Sequence, residues 1–484
     1  MKKPIFIFIV TLLGIMVSCD NFDVSNINPD VASDISNNPE LLLTNSQYVS
    51  IWEAVNISWK RGNVMAQYGA RIVFTEFDLF EWGDQAGTWK NFYLAISDAK
   101  ELERIAEEKS LLGFQGVAKV MQVWLFGILT DMWGDIPYSE VALAGEGVYL
   151  PKYDTQEAIY TNMLEELKKA NEYLRDSETG IKGDMIFDND LIKWRKFANS
   201  LRLRHALRLS KADPLTAQHI IREIYNDPLS YPIMDSNADN AKLVFGEASP
   251  DAHPITEESA YMVGTFNEGR ISEQFVGLLA LMNDPRLNFF ADPTTNSVEN
   301  GTPEIQGMQN GIVDGPAYEY KGGDAFLSKF NINYFYYQPS ANNARLMLYS
   351  EVEFILAEAA QRGWINGNGN DFYENGIRAN FEYWDVEMPS DYLARTGVAY
   401  DNNLETIIKQ KYISLFYIDF QGFIEFKRTG YPVTIKPGPD ALYDIYPSRF
   451  EYPSEEESLN KVNYETAANR IGEDKITTKV WWEK

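Results

Sequence analysis

The sequence predicts a mostly α protein, built from helical hairpins with long irregular loop regions between them. Two observations carry that expectation. Over 155–175, Ile159, Met163, Leu167, Ala170 and Leu174 recur at intervals of four, four, three and four residues, one apolar stripe on a helix. Glycine and proline punctuate the chain between such stretches, as at Gly134 and Pro137 in WGDIPYSE.

Element by element, residues 39–69 read as helical in two pieces, and Gly83 and Gly87 then break the pattern over 78–89 (DLFEWGDQAGTW). Residues 94–109 and 114–132, separated by Gly113, form a hairpin. Asp154 with Glu157 three later has the spacing of a capping box for the helix over 155–175. Residues 191–209 are its antiparallel partner, and 214–227 begin a further helix. Residues 228–345 change character, rich in Pro, Gly, Asn and Asp with no lasting helical period. Helical patterns return at 346–364, 371–384 and 403–417, and 432–484 is loop-rich. Hairpins of this kind stack in the tetratricopeptide manner, although no self-similarity recurs at a period of about 34 residues. At 484 residues the length allows three domains or one large one. The expectation is a single domain over 39–484, with helical hairpins at about 39–227 and 346–431, a loop-rich insert at about 228–345 and a loop-rich C-terminal region.

Composition narrows the function classes. Hydrophobic residues at 45% and charged residues at 23% suit a sizeable core under a normal solvated surface. With 70 acidic and 43 basic residues the net charge is −27, which argues against nucleic acid and against electrostatic attachment to anionic lipid. Three His and one Cys leave little for zinc, haem or iron–sulfur ligation, and no cofactor is expected. The 28 Tyr and 11 Trp are plentiful, and such rings suit wet binding surfaces.

The first residues, MKKPIFIFIVTLLGIMVSC, set Lys2 and Lys3 before an apolar stretch too short for a comfortable membrane span. Ser18 precedes Cys19, the sole cysteine. This is similar to a bacterial lipoprotein signal over 1–18, with Cys19 as the lipidated first residue of the mature chain. An ordinary signal peptide or an N-terminal anchor are the other readings. Residues 19–38 read as a polar tether.

Several segments together resemble the SusD/RagB family of outer-membrane nutrient-binding lipoproteins. They are the signal ending at Cys19, NINPD at 26–30, LTDMWGDIPYSE at 129–140, YDTQEAIY at 153–160, KWRKFANSLRLRHALRLS at 193–210 and NDPRL at 283–287. YSEVEFILAEAAQRGW at 349–364, QKYISLFYIDFQGFIEFKRTGYP at 410–432, YPSRFEYPSEEESLN at 446–460 and KVWW at 479–482 complete them, in family order. The resemblance implies a SusD-like fold of tetratricopeptide-like helix pairs. It also implies a lipid-anchored protein on the outer-membrane surface of a Bacteroidota-type bacterium. The implied partner is a SusC-like TonB-dependent transporter, and the implied cargo is an oligosaccharide or sometimes a peptide. A surface glycoside hydrolase or lyase, and a structural helical scaffold, are the readings from other classes.

No catalytic constellation stands out. Carboxylates are abundant, so the pair Asp131 and Asp135 is weak ground for a glycosidase. Glu353 falls within an apolar helical stripe and needs a partner, for which Arg202, Arg204 and Arg208 are available. His205 reads as a core or rim histidine, and NGNGND at 366–371 as a plain helix connection, lacking the glycine and glutamate of a calcium loop. Aromatic residues in loops are the informative feature. Trp82 and Trp89, with Asp84 and Gln85 nearby, and Tyr334 and Tyr336, beside Asn333, lie where helix packing does not demand large rings. Sugars present C–H faces to rings and hydroxyls to polar groups, so Trp82, Asp84, Trp89, Tyr334 and Tyr336 are the expected ligand contacts. In an extended stretch Tyr334 and Tyr336 would point to one side.

Overall fold

The computed structural model describes residues 38–248, 252–258, 265–338 and 340–484. Cys19, the NINPD segment and nearly all of the tether lie outside the described residues.

The helical run begins with α1 (Pro39–Ile57), α2 (Ala86–Glu108), α3 (Leu112–Trp133), α4 (Gln156–Asp176), α5 (Leu191–Arg208) and α6 (Pro214–Asn226). Each packs against the next, giving a continuous stack. Helix α3 sits between α2 and α4, and nearly all of its residues are buried, which is why its sequence is apolar all round. Gly127 permits a close approach there, since a Cβ would stand 2.5 Å from the His205 imidazole. His205 is thus a core histidine. Its nitrogens find no hydrogen-bond partner among the described residues, and burial, with Arg204 and Arg208 adjacent, pushes its pKa well down. The α4 stripe of Ile159, Met163, Leu167, Ala170 and Leu174 is buried as its spacing predicts.

Caps follow short polar side chains, though not always the expected ones. Thr155, not Asp154, caps α4 by accepting the Ala158 N–H at 3.2 Å. Asp154 instead accepts from Ser139 N at 2.7 Å in the ribbon of β2 (Ile136–Pro137) and β3 (Tyr153–Asp154). Asp190 caps α5 and Asp213 caps α6. Helix α2 begins at Ala86 rather than near 94, so Trp89 is a helical residue on the inward stripe with Phe92, Ile96 and Ala99.

The described residues from 228 to 347 include short helices, among them α7 (Glu273–Leu281), and the strands β4 (Ala241–Leu243), β5 (Gly269–Ile271) and β6 (Ala344–Met347). β5 pairs antiparallel with β1 (Gly69–Arg71), and β6 with β4. The expected helix over 346–364 is therefore a strand end followed by α8 (Tyr349–Gln361). Helices α9 (Gly369–Tyr383), α10 (Leu404–Ser414) and α11 (Gln421–Thr429) follow. Of the segment 366–371, the first three residues connect α8 to α9, with Asn368 as the cap, and Gly369, Asn370 and Asp371 form the first turn of α9. Beyond 432 the chain is looped except for the helices Ser454–Leu459 and α12 (Lys461–Ile471) and a 3-10 turn at Trp481–Glu483, none of which the sequence predicts.

Helix α8 packs on α9, on α10 and on α5, so it joins the two helical runs. Buried ion pairs line this junction. Arg204 on α5 grips Glu351 on α8 through two hydrogen bonds of 2.7 and 2.6 Å. Arg428 on α11 grips Glu358 at 2.7 and 2.5 Å and also pairs with Glu425. Burial alone would raise the Glu358 and Glu425 carboxyls, but Arg428 holds both below the ordinary range. The expected arginine partner for Glu353 is not formed. Arg204 takes Glu351, Arg202 takes Glu223 at 2.8 Å, and Arg208 takes Gln421 at 2.8 Å. Glu353 sits beside Tyr349 and Asn375, and burial raises its pKa.

Glu223 provides a test of these pairs. Burial would raise its carboxyl, but Lys168 and Arg202 hold it down at about 2. The unfolded chain therefore takes up this proton first, and the pair's stability, present above pH 4.5, is lost as pH falls toward 2. Glu223→Gln should flatten the fall of melting temperature across that window relative to wild type. Parallel curves for the two proteins would contradict the pairing.

Candidate functional site

The rings expected at a ligand surface are mostly turned inward. Trp82 is 2% exposed. Its indole N–H donates to the Phe77 carbonyl at 3.1 Å, and Phe77, Phe80, Phe423 and Phe450 surround its ring at centroid distances of 5.6–6.0 Å. It seals the 78–89 loop onto α11 and the C-terminal chain, so the expectation of a free platform at Trp82 is corrected. Trp89 is 6% exposed and packs on Trp133, Tyr93, Tyr153 and Tyr452. It nevertheless contributes to the wall of an open cleft of about 420 Å³, with Tyr93, Leu94, Tyr149 and Pro151.

Asp84 is a clip. Its carboxylate accepts from Ser454 N and Oγ at 3.0 and 3.1 Å and from Ala86 N at 3.2 Å, at the start of α2. Partial burial would raise its pKa, but these bonds hold it below the usual range. Gln85 donates to the Trp82 carbonyl.

Tyr334 and Tyr336 do not share a side, because Ile332–Phe335 forms a helical turn rather than an extended stretch. The Tyr334 hydroxyl donates to Ala341 O at 2.9 Å, and its ring meets Phe289 edge-on at 4.8 Å. Tyr336 tilts onto Phe266 at 5.8 Å. Both are half-buried and close the insert over the helices.

Free ring faces occur elsewhere. The β1–β5 ribbon carries a small core of Ala70, Ile72, Met308, Ile312, Ala317 and Leu327, apart from the main core. Exposed rings lie in the segments around it: Phe74, 62% exposed, Tyr318, 54%, on the short helix Pro316–Glu319, and Phe326, 36%, at the end of a 3-10 turn. Phe74 has φ 55° and ψ 56°, the left-handed region, where a bulky side chain costs on the order of 1–3 kcal/mol. Thr75 holds it there, buried, with its N–H donating to the Asp314 carboxylate at 3.1 Å. That bond ties the Phe74 loop to the loop bearing Tyr318 and Phe326. Gly322, at φ 103°, lies against the Phe326 ring, where a Cβ would come within 2.9 Å.

Polar groups around these rings are fixed. Tyr320 OH and Lys321 Nζ donate to Glu273 at 2.9 and 3.1 Å, and Arg270 pairs with Asp324. Rings with open faces beside oriented hydrogen-bonding groups can take up a sugar's C–H face and its hydroxyls together. The sequence signal existed: NGIVDGPAYEYKGGDAF over 310–326 mixes glycine with aromatics just as 78–89 does. Phe74, in VFTEF, offered no such mark.

The carboxylate pair weighed for a glycosidase has structural partners. Asp131 accepts from Tyr160 OH and from Trp482 Nε1, the latter at 2.8 Å, and Asp135 accepts from Gln156 N at 2.8 Å and from Arg470. Both carboxylates are thus committed to structure. Among the described residues no group of three or more His, Cys, Asp or Glu side chains could hold a metal ion.

Comparison with known proteins gives a consistent result. Residues 30–453 match the model of a SusD-like family described as starch-binding and associating with the outer membrane. No curated protein sequence matches. Among solved structures, a chitin-binding protein is 26% identical with a TM-score of 0.80, covering 92% of this chain and 100% of its own. An outer-membrane protein of Bacteroides vulgatus, described in connection with nutrient binding, is 28% identical at a TM-score of 0.79, covering 92% of this chain and 100% of its own. A SusD homologue of Bacteroides fragilis is 28% identical at 0.79, covering 92% and 99%.

The strain at Phe74 separates a ligand role from a packing role. Asparagine tolerates the left-handed region, so Phe74→Asn should leave stability unchanged or raise it by up to about 1 kcal/mol. Trp82→Ala should lose about 3–5 kcal/mol. A Phe74→Asn protein that melts well below wild type would make Phe74 a packing residue instead.

Proposed function

The chain belongs to the SusD-like family of proteins associated with the outer membrane, and from that premise we propose that it captures a glycan and delivers it to a SusC-like TonB-dependent transporter. Cys19, as lipid anchor, would hold it at the cell surface. One observation carries the proposal: Phe74, in a strained conformation and 62% exposed, lies in a loop bonded to the one that bears Tyr318 and Phe326. A large ring kept in water at a conformational cost is a poor packing choice and a good stacking surface for a sugar. The chitin-binding neighbour makes chito-oligosaccharides the first ligands to try, followed by malto-oligosaccharides. Trp89 is retained as a contact only through the cleft that it helps to line. Binding without turnover is supported by the commitment of Asp131 and Asp135 to structural partners.

Titration of purified residues 20–484 with these oligosaccharides, followed by product analysis, tests the reading. A stacked ring contributes about 0.5–1.5 kcal/mol, so Phe74→Ala, Tyr318→Ala and Phe326→Ala should each weaken binding roughly two- to tenfold. The oligosaccharide should be recovered uncut. Affinity unchanged in all three variants would remove the site, and cleavage would favour the hydrolase reading.

A further inference from the structure

The two segments that bear the exposed rings are tied together from beneath by one carboxylate. Asp78 is buried and ends the 3-10 turn Thr75–Phe77 that follows Phe74. Its Oδ2 accepts from the backbone N–H of Arg71, the last residue of β1, at 2.7 Å. Its Oδ1 accepts from Asn310 Nδ2, also at 2.7 Å. Asn310 Nδ2 donates to Gly69 O as well, at 2.8 Å, so its amide cannot turn over without losing that bond. One side chain thus sets the chain that leads through Phe74 against the chain that leads to Tyr318 and Phe326.

The surroundings of Asp78 make it costly to ionise. From β1 the Arg71 charge favours the carboxylate, but that guanidinium is bonded to Glu268 at 2.8 Å and to Lys60 O at 3.1 Å. From the insert Asn310 offers a neutral donor. From the C-terminal chain Tyr446 adjoins Asp78, and its hydroxyl donates to Met65 O at 2.7 Å. Burial outweighs the bonds from Asn310 and Arg71 N and pushes the carboxyl up to about 6. Both donors to it are N–H groups. Protonation puts a hydrogen on one oxygen and removes the charge that strengthens both bonds.

On the glycan reading, from which the ligand is taken, we propose that Asp78 is a positioning residue of the ring surface. Its ionised carboxylate sets Phe74 against Tyr318 and Phe326, and oligosaccharide affinity falls in mild acid as the carboxylate takes up a proton.

Hydrogen exchange of the ligand-free protein and titration with chitohexaose, both across pH 7.5 to 5, test it. Circular dichroism at each pH checks the fold, because the neutral, buried His205 and His253 cost stability as pH falls below 6.5. In the wild type, exchange over 69–79 and 308–316, corrected for the intrinsic pH dependence of amides, should quicken with a midpoint at about 6. Affinity should fall about fivefold over the same range, the equivalent of one hydrogen bond. Asp78→Asn places a donor against one of the two donors, so it should exchange fast and bind weakly already at pH 7.5, with no further change at pH 5. Asn310→Ala keeps Asp78 but removes a bond to its ionised form, and should move the midpoint to higher pH. Exchange that ignores pH, an affinity constant from pH 7.5 to 5, or the wild-type pH response persisting in Asp78→Asn would overturn the proposal. If exchange responds as expected but neither chitohexaose nor maltohexaose binds at any pH, the tie between the segments stands and the glycan reading falls.

Discussion

The junction between α5, α8 and α11 rests on buried charge. Arg204 with Glu351 and Arg428 with Glu358 and Glu425 are all nearly inaccessible to water. Such pairs gain little over an apolar interface, because desolvation offsets attraction, yet losing one partner strands a charge at a cost of about 3–5 kcal/mol. Their effect is to fix which face of α8 meets α5. The two helical runs meet in one arrangement, and the loops between them inherit it.

That arrangement uses most of the aromatic residues. Trp82, Trp89, Trp133 and Phe450 form one connected set of rings, sealing the 78–89 loop and the C-terminal chain onto the helices. Tyr334, Phe289 and Trp384 form part of another, closing the insert. What remains for a ligand is the smaller set left outside these seals. Phe74 belongs to it because the bond from Thr75 to Asp314 holds the backbone in a conformation that keeps the ring in water.

The helices were legible where one face alternates with solvent, as along Ile159, Met163 and Leu167, because that period is a local property of the chain. Local signals misled where a distant partner decides. The stretch 344–347 becomes strand β6 because β4, a hundred residues earlier, offers a pairing edge. Asp154 loses the cap of α4 because Ser139 claims it. The exposure of the aromatic rings is decided in the same way. Whether a ring in a glycine-rich loop is free depends on residues such as Phe423 and Phe450, more than 300 positions from Trp82. Family membership, by contrast, was visible in ordered segments spread along the whole chain.

The central claim is that the working aromatics are the few left outside the seals. Hydroxyl-radical footprinting with and without a bound chito-oligosaccharide tests it most directly, because it reports each ring separately in the unmodified protein. The account predicts protection at Phe74, Tyr318 and Phe326, with Trp82, Tyr334 and Tyr336 unchanged. Protection confined to Trp89 and Tyr149, with Phe74 still reactive, would contradict it.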